Sequence, residues 1–243
     1  MRPRRRDFVR ALLRSFSIQG SWNHRTMTGP GMAFALSPLL ARIHADDPGA
    51  LQAALERHAG AFNAHPYLAP VAIGSLARLE YEKEETDTLL RFRAALRAPL
   101  GAIGDETMWA GWRPFCASTA AIAFLLGTDP VAAAATFLVV YNLGHMGVRL
   151  WGLRCGWRAG RGVGAALGRI PFRRIARSLI LTNQVLIGAL AALLISRIQG
   201  GAPTPPWIGG VAVVAGLSGY VIPRRISAAA LASLLAALAA WLL

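Results

Sequence analysis

Three groups of polar side chains lie in apolar surroundings, and all are types that hold hydroxyl groups more readily than they break bonds. Asn63 and His65 precede Pro66. An amide and a neutral imidazole each offer a donor and an acceptor, which suits a sugar hydroxyl. The same pair can equally cap a helix break, because proline disfavours α geometry in the residue before it. Asp105 lies in an apolar, glycine-flanked segment. A carboxylate there is costly to bury; it can accept two hydroxyls, pair with Arg113, or cap a half-helix. Asn142 and His145 are three apart and share a helix face. They line a polar cavity, meet a partner subunit, or make an interhelical hydrogen bond. Gln19, Trp22 and Asn23 form a further polar and aromatic set. There the Trp serves as a floor for a sugar ring or as an interfacial anchor.

Bond-breaking chemistry lacks a recognisable sequence. There is no Gly-x-Ser-x-Gly, no Walker loop and no metal-ligand spacing, and His24, His44, His58, His65 and His145 stand in no phosphoacceptor context. No catalytic residue, metal or cofactor is expected. Cys116 and Cys155 are expected to be unpaired packing residues.

The elements that must position these groups read as helices in a membrane. The chain has 243 residues, 54% of them apolar. Apolar stretches at 178–196, 207–222 and 226–243 approach the ~20 residues a spanning helix needs. Residues 99–114, with Pro99, Gly101, Gly104 and Pro114, suit a broken or re-entrant element lining a polar cavity. The pieces 115–126 and 131–141 are too short for simple spans and fit half-helices. Residues 1–20 read as a basic amphipathic helix with Phe8, Leu12, Leu13 and Phe16 near one face, suited to an anionic lipid surface. Residues 50–62 read as a polar helix with Arg57 and His58 solvated, and the acidic run 80–87 as a solvated face or turn.

The net charge is +14, and Lys83 is the lone lysine. The arginines cluster beside apolar segments, at 2–14, 149–177 and 224–225, and not within a nucleic-acid-binding module. Cytoplasmic loops follow this pattern. The N-terminus and both later basic stretches are therefore expected on the cytoplasmic side, and nucleic acid is not an expected partner. Phe8 to Phe16 is interrupted by Arg10 and Arg14, so the N-terminus does not read as a cleavable signal.

Four ordered segments carry a resemblance. Residues 14–23 read R-S-F-S-I-Q-G-S-W-N, residues 62–66 F-N-A-H-P, residues 99–114 P-L-G-A-I-G-D-E-T-M-W-A-G-W-R-P, and Tyr141-Asn142-Leu143-Gly144-His145 is followed by Arg149 and a glycine-rich stretch, 152–160. Together they resemble the IID membrane subunit of the mannose/fructose/sorbose class of bacterial sugar phosphotransferase systems. The chain departs at Ala64 (Thr in the family), Glu106 (Ser) and residues 23–27, where an acidic residue is replaced by Arg25.

The resemblance implies a single all-α integral membrane domain. Residues 1–97 would be amphipathic and interfacial helices, 98–151 a re-entrant hairpin region, 152–177 a basic cytoplasmic loop, and 178–243 about three transmembrane helices. It implies a multi-pass protein of the bacterial inner membrane with a cytoplasmic N-terminus. Its partner would be a IIC subunit, in a trimer of heterodimers that carries a hexose while cytoplasmic IIA and IIB components handle phosphate. The chain itself would be non-catalytic. Gln19, Trp22, Asn23, Asn63, His65, Asp105, Asn142 and His145 are the implied sugar-binding or translocation residues, and Pro66, Gly104, Trp109, Arg113, Pro114 and Arg149 the implied structural ones. The alternative is a non-transporting scaffold or sensory protein that keeps the fold.

Overall fold

Proline and acidic residues set the helix starts. In the computed structural model, which describes residues 1–198 together with 210 and 213, the described elements are helical and no strand occurs among them. Helix α1 (Arg5–Arg14) begins where the Asp7 carboxylate accepts the Arg4 backbone N–H at 2.8 Å, favourable at the positive end of a helix dipole. Helices α2 (Gly29–Ile43), α3 (Pro48–Ala59) and α4 (Ala69–Tyr81) each carry proline in the first turn, where its missing N–H costs nothing. Asp47 caps α3 by accepting from Ala50 N–H at 2.8 Å. Helix α5 (Thr86–Gly104) leads into a π-helical segment (Asp105–Trp112), then α6 (Arg113–Leu125). Asp129 starts α7 (Pro130–Ala159), accepting from Val131 and Ala132 N–H at 3.0 Å each. A 3₁₀ turn (Gly160–Gly162), α8 (Val163–Gly168) and α9 (Phe172–Ile198) follow.

The chain divides into two units, Met1–Asp105 with His145–Pro171, and Glu106–Gly144 with the chain from Phe172. In the first, α1, α3 and α4 pack on α2. Its core is Met32, Leu36, Leu39 and Leu40 of α2 with Val71, Ile73, Leu76 and Leu79 of α4, all fully buried. The C-terminal half of α7 lies on α4 through small residues. A Cβ on Gly156 would fall 2.1 Å from Val71 O, and one on Gly74 2.3 Å from Leu153 O. Small residues allow such backbone approach between membrane helices. Gly156→Val is therefore expected to lower stability by about 1–3 kcal/mol or more, read as a lower Tm of the detergent-purified protein. An unchanged Tm would mean that α4 and α7 are not in such contact.

The first unit also holds a buried ion cluster. Glu80 is 3% exposed. Its Oε1 accepts from Arg57 Nη2 at 2.7 Å and His58 Nε2 at 2.9 Å, and its Oε2 lies 3.3 Å from His44 Nε2. Burial pushes the Glu80 carboxyl up, but the hydrogen bonds and charges of His58 and Arg57 outweigh it and hold it at about 2. Burial pushes His58 down, against the opposing pull of Glu80, so a neutral imidazole donates its Nε2–H. Arg93 donates to the carbonyls of His58, Gly60 and Ala61 at 2.7–3.0 Å. It thereby satisfies the open C-terminal end of α3. The expectation of a solvated Arg57 and His58 is corrected, and within the 80–87 run Glu80 turns inward; the rest of that run lies at or near the surface as expected, with Glu82 and Glu84 paired to Arg78 and Arg161.

In the second unit α6 packs on α9. Ser118 Oγ donates to Asn183 Oδ1 at 2.8 Å inside that apolar contact. The Trp112 indole lies on Gly144, where a Cβ would be 2.3 Å from its Nε1.

Three expectations change. Residues 131–141 are the start of the 30-residue α7, not a separate half-helix; Gly144 does not break it, because the Trp112 ring fills the space a side chain would take. Pro99 sits inside α5, and the expected break at 99–114 is absorbed into wider π-helical turns. Residues 152–177 are not a loop: they form the end of α7, the 3₁₀ turn, α8 and the start of α9. Arg154, Arg158, Arg173, Arg174 and Arg177 ride on α7 and α9, Arg161 on the 3₁₀ turn and Arg169 in the turn after α8. The apolar run expected at 178–196 lies within α9. Both 130–168 and α9 are long and apolar enough to cross a membrane, and only 11% and 22% of their apolar windows are buried within the chain. A soluble core helix would be mostly buried. The stretches 207–222 and 226–243 lie outside the described residues, apart from 210 and 213.

Candidate functional site

The segments that stand far apart in sequence meet in the first unit around the middle of α7. Arg149 is 3% exposed. Its Nη1 donates to Ser15 O at 2.8 Å and Ser15 Oγ at 3.2 Å, just after α1. Its guanidinium carbon lies 4.6 Å from the Phe16 ring centre and 4.9 Å from that of Tyr67. Aromatic faces replace part of the hydration that burial removes.

Tyr67 links the histidines. Its ring stacks on His145 at 4.5 Å and 17°, and meets His65 edge-on at 5.0 Å. Phe16 approaches His145 edge-on at 6.2 Å. His65 is 2% exposed and its ring lies on Gly104, where a Cβ would come within 2.2 Å of the imidazole Cγ. The F-N-A-H-P and G-A-I-G-D segments thus touch through a residue with no side chain.

His65 does two things. Its carbonyl accepts from Leu68 and Ala69 N–H at 2.9 Å each and its Nδ1 accepts from Tyr67 N–H at 3.2 Å, so it organises the entry to α4. Burial, then the charge of Arg149, pushes its pKa down to about 4. At neutral pH the ring is uncharged, Nδ1 is the acceptor, and Nε2 carries the proton as a donor. The cluster therefore holds a fixed cation, a neutral imidazole and stacked aromatic rings, with His65, His145 and Arg149 all buried.

Of the residues singled out from sequence, His65, Gly104, His145 and Arg149 come together, with Pro66 buried beside His65. The others lie elsewhere. Gln19, Trp22 and Asn23 are exposed. Asn23 builds a local turn, its Oδ1 accepting from Arg25 and Thr26 N–H at 3.0 and 2.9 Å. Asn63, Asp105 and Arg113 are exposed, as is Trp109, and Pro114 stands in the first turn of α6. Asn142 donates within α7 to Leu138 O at 2.6 Å. Ser15 and Tyr67 were not singled out, and Phe16 was named only for the apolar face of the first helix. Ser15 and Phe16 lie inside the opening R-S-F segment, and Tyr67 follows His65 by two. Among the described residues no group of three or more His, Cys, Asp or Glu is placed to hold a metal ion.

The sequence signature of the PTS system mannose/fructose/sorbose family IID component matches residues 4–198. The chain is 25% identical over 189 residues to the PTS system mannose-specific EIID component of Escherichia coli (strain K12), covering 76% of this chain and 66% of that protein. It is 23% identical over 209 residues to the fructose permease IID component of Bacillus subtilis (strain 168), covering 80% and 74%. The chain thus spans about two thirds of the length of the mannose-specific relative. A cryo-EM structure of the mannose transporter ManYZ in complex with microcin E492 contains a chain of similar fold. Its TM-score is 0.61 at 23% identity, covering 93% of this chain and 91% of that one.

Proposed function

The chain belongs to the IID-component family of the mannose/fructose/sorbose phosphotransferase systems, and we propose that it is the IID membrane subunit of such a sugar transporter. It pairs with a IIC subunit, as a trimer of heterodimers, and carries a hexose-type sugar across the bacterial inner membrane. IIA and IIB deliver phosphate to the sugar on the cytoplasmic face, and no covalent step falls on this chain. The N-terminus is cytoplasmic, and the stretches 207–222 and 226–243 add to α9 to give about three C-terminal spans.

One observation carries the reading: His65, Gly104, His145 and Arg149, from three of the family-like segments, share one buried cluster with Ser15 of the fourth, whose half-exposed Phe16 ring covers Arg149. The exposed Gln19, Trp22, Asn23, Asn63 and Asp105 are free to face the sugar path or the IIC subunit, and Asn142 flanks His145 by one helical turn. Regions 98–151 and 152–177 keep their proposed places, near the sugar path and at the cytoplasmic face, as helices.

The test is binding of mannose, glucose, fructose and N-acetylglucosamine to the detergent-purified complex of this chain with its IIC partner. Binding by the wild type is expected to fall at least about tenfold in His65→Ala, the loss of one well-placed hydrogen bond to a buried group, with the complex intact. Asp105→Asn tests the rim separately. A well-folded wild-type complex that binds none of these sugars overturns hexose transport and favours the non-transporting scaffold. Normal uptake in a deletion strain, with altered gene expression, would point the same way.

A further inference from the structure

A second polar site lies along α1, beside its apolar ridge. Asp7, Arg10 and Arg14 of α1 line a groove of about 400 Å³ with Ser37, Pro38 and Arg42 of α2. Three guanidinium groups face one carboxylate. That carboxylate is already committed, since Asp7 Oδ2 accepts from Arg4 N–H and Oδ1 lies 3.8 Å from Arg6 Nε. Arg14 is held in place by Ser37 Oγ and by the Phe34 ring, 4.5 Å from its guanidinium carbon. Arg42 Nε is buried and has no hydrogen-bond partner among the described residues. A buried donor left so is costly unless a ligand supplies the acceptor.

The chemistry that completes this arrangement is a phosphoryl anion. Its oxygens match the planar forks of arginine, and arginines converging on one groove recognise it better than a lone surface charge does. The neighbouring surface selects the source. Val9, Leu13 and Phe16 are spaced four and three apart and are 48%, 63% and 43% exposed, and Phe34 beside Arg14 is 48% exposed. Apolar side chains along one face of a basic helix enter the acyl boundary while the arginines stay at headgroup depth. We propose that the groove between α1 and α2 binds the headgroup phosphate of an anionic phospholipid whose acyl chains lie against the Val9–Leu13–Phe16 ridge. The groove shares no residue with the His65–Arg149 cluster, which the ridge meets at Phe16 alone, and it does not depend on what sugar, if any, the protein carries.

The experiment is native mass spectrometry of the full chain with its IIC partner, released from neutral detergent containing equal phosphatidylglycerol and phosphatidylcholine. The wild type is expected to retain phosphatidylglycerol selectively. Arg10→Gln with Arg42→Gln should reduce that retention about tenfold or more, the scale of losing one charge-assisted bond per side chain. Arg2→Gln with Arg5→Gln removes the same charge outside the groove and should leave it unchanged. Equal loss in both pairs would reduce the effect to bulk charge and overturn the site. Full displacement of the lipid by millimolar inorganic phosphate would overturn the lipid as its ligand. Val9→Ser with Leu13→Ser should weaken lipid retention without changing the melting temperature; unaltered retention would overturn the role of the ridge.

Discussion

Replacing Arg149 with methionine is expected to lower the stability of the protein by roughly 2–5 kcal/mol and, on the proposed transport function, to abolish sugar uptake. The estimate combines hydrogen bonds to a charged group, about 1.5–3 kcal/mol, with a desolvated cation over aromatic rings, about 0.5–2 kcal/mol. Methionine fills similar volume, so the loss reports the guanidinium and not a void. Three pieces lose their common partner: the end of α1 through Ser15 O and Oγ, the Phe16 ring, and the Tyr67 ring that stacks on His145. Arg149→Lys separates charge from shape. A lysine keeps the positive charge but cannot reproduce the planar fork between two rings. It should recover part of the stability and little of the uptake. Purified Arg149→Met complex with wild-type Tm and wild-type uptake would sink the assignment of this residue as the anchor of the cluster.

Local chemistry was legible where it depends on one residue and its neighbours. Proline at positions 30, 48 and 70 stands in the first turn of a helix and the aspartates at 47 and 129 cap one, signals written in the sequence although no helix start was assigned from them. Pro66 correctly announced that the chain turns at Asn63–His65. Helix class and the long apolar run in α9 followed from composition. What escaped depends on partners distant in sequence. Gly144 reads as a breaker because nothing nearby shows that the Trp112 indole will occupy its face. Tyr67 reads as one aromatic among several until α7 brings His145 and Arg149 to it. Glu80 hid inside an acidic run. Spacing alone held the clue, since Ile73, Leu76 and Glu80 fall on one helical stripe, but a carboxylate on an apolar stripe is buried only when its cations arrive from elsewhere. They arrive from α3, whose charged end looked solvated for the same reason.

Glu80→Gln is expected to cost about 3 kcal/mol or more at pH 7, because removing one member of a buried ion cluster leaves the others uncompensated. Arg57 would remain at 15% side-chain exposure, with its main counter-charge gone. The variant also changes how stability depends on pH, and the sign follows from proton uptake. Glu80 titrates at about 2 when folded against 4.5 for the ordinary group. The unfolded chain therefore binds the proton first, and the stabilisation present above pH 4.5 is lost as pH falls towards 2. The shift corresponds to up to about 3 kcal/mol. His65 acts in a higher window. Its folded pKa of about 4 against 6.5 makes the protein lose stability as pH falls from 6.5 to 4. The wild type should thus show an acid limb in two stages, and Glu80→Gln should lose the lower stage while keeping the upper one. Thermal melts between pH 2 and pH 8 read this directly. A Glu80→Gln protein that melts like the wild type at pH 7 and keeps both stages would mean that the carboxylate is not the centre of the cluster. A lower stage lost while the upper stage stays full would show that the Glu80 cluster and the His65 cluster titrate independently, although one helix, α4, begins at the His65 cluster and ends at Glu80.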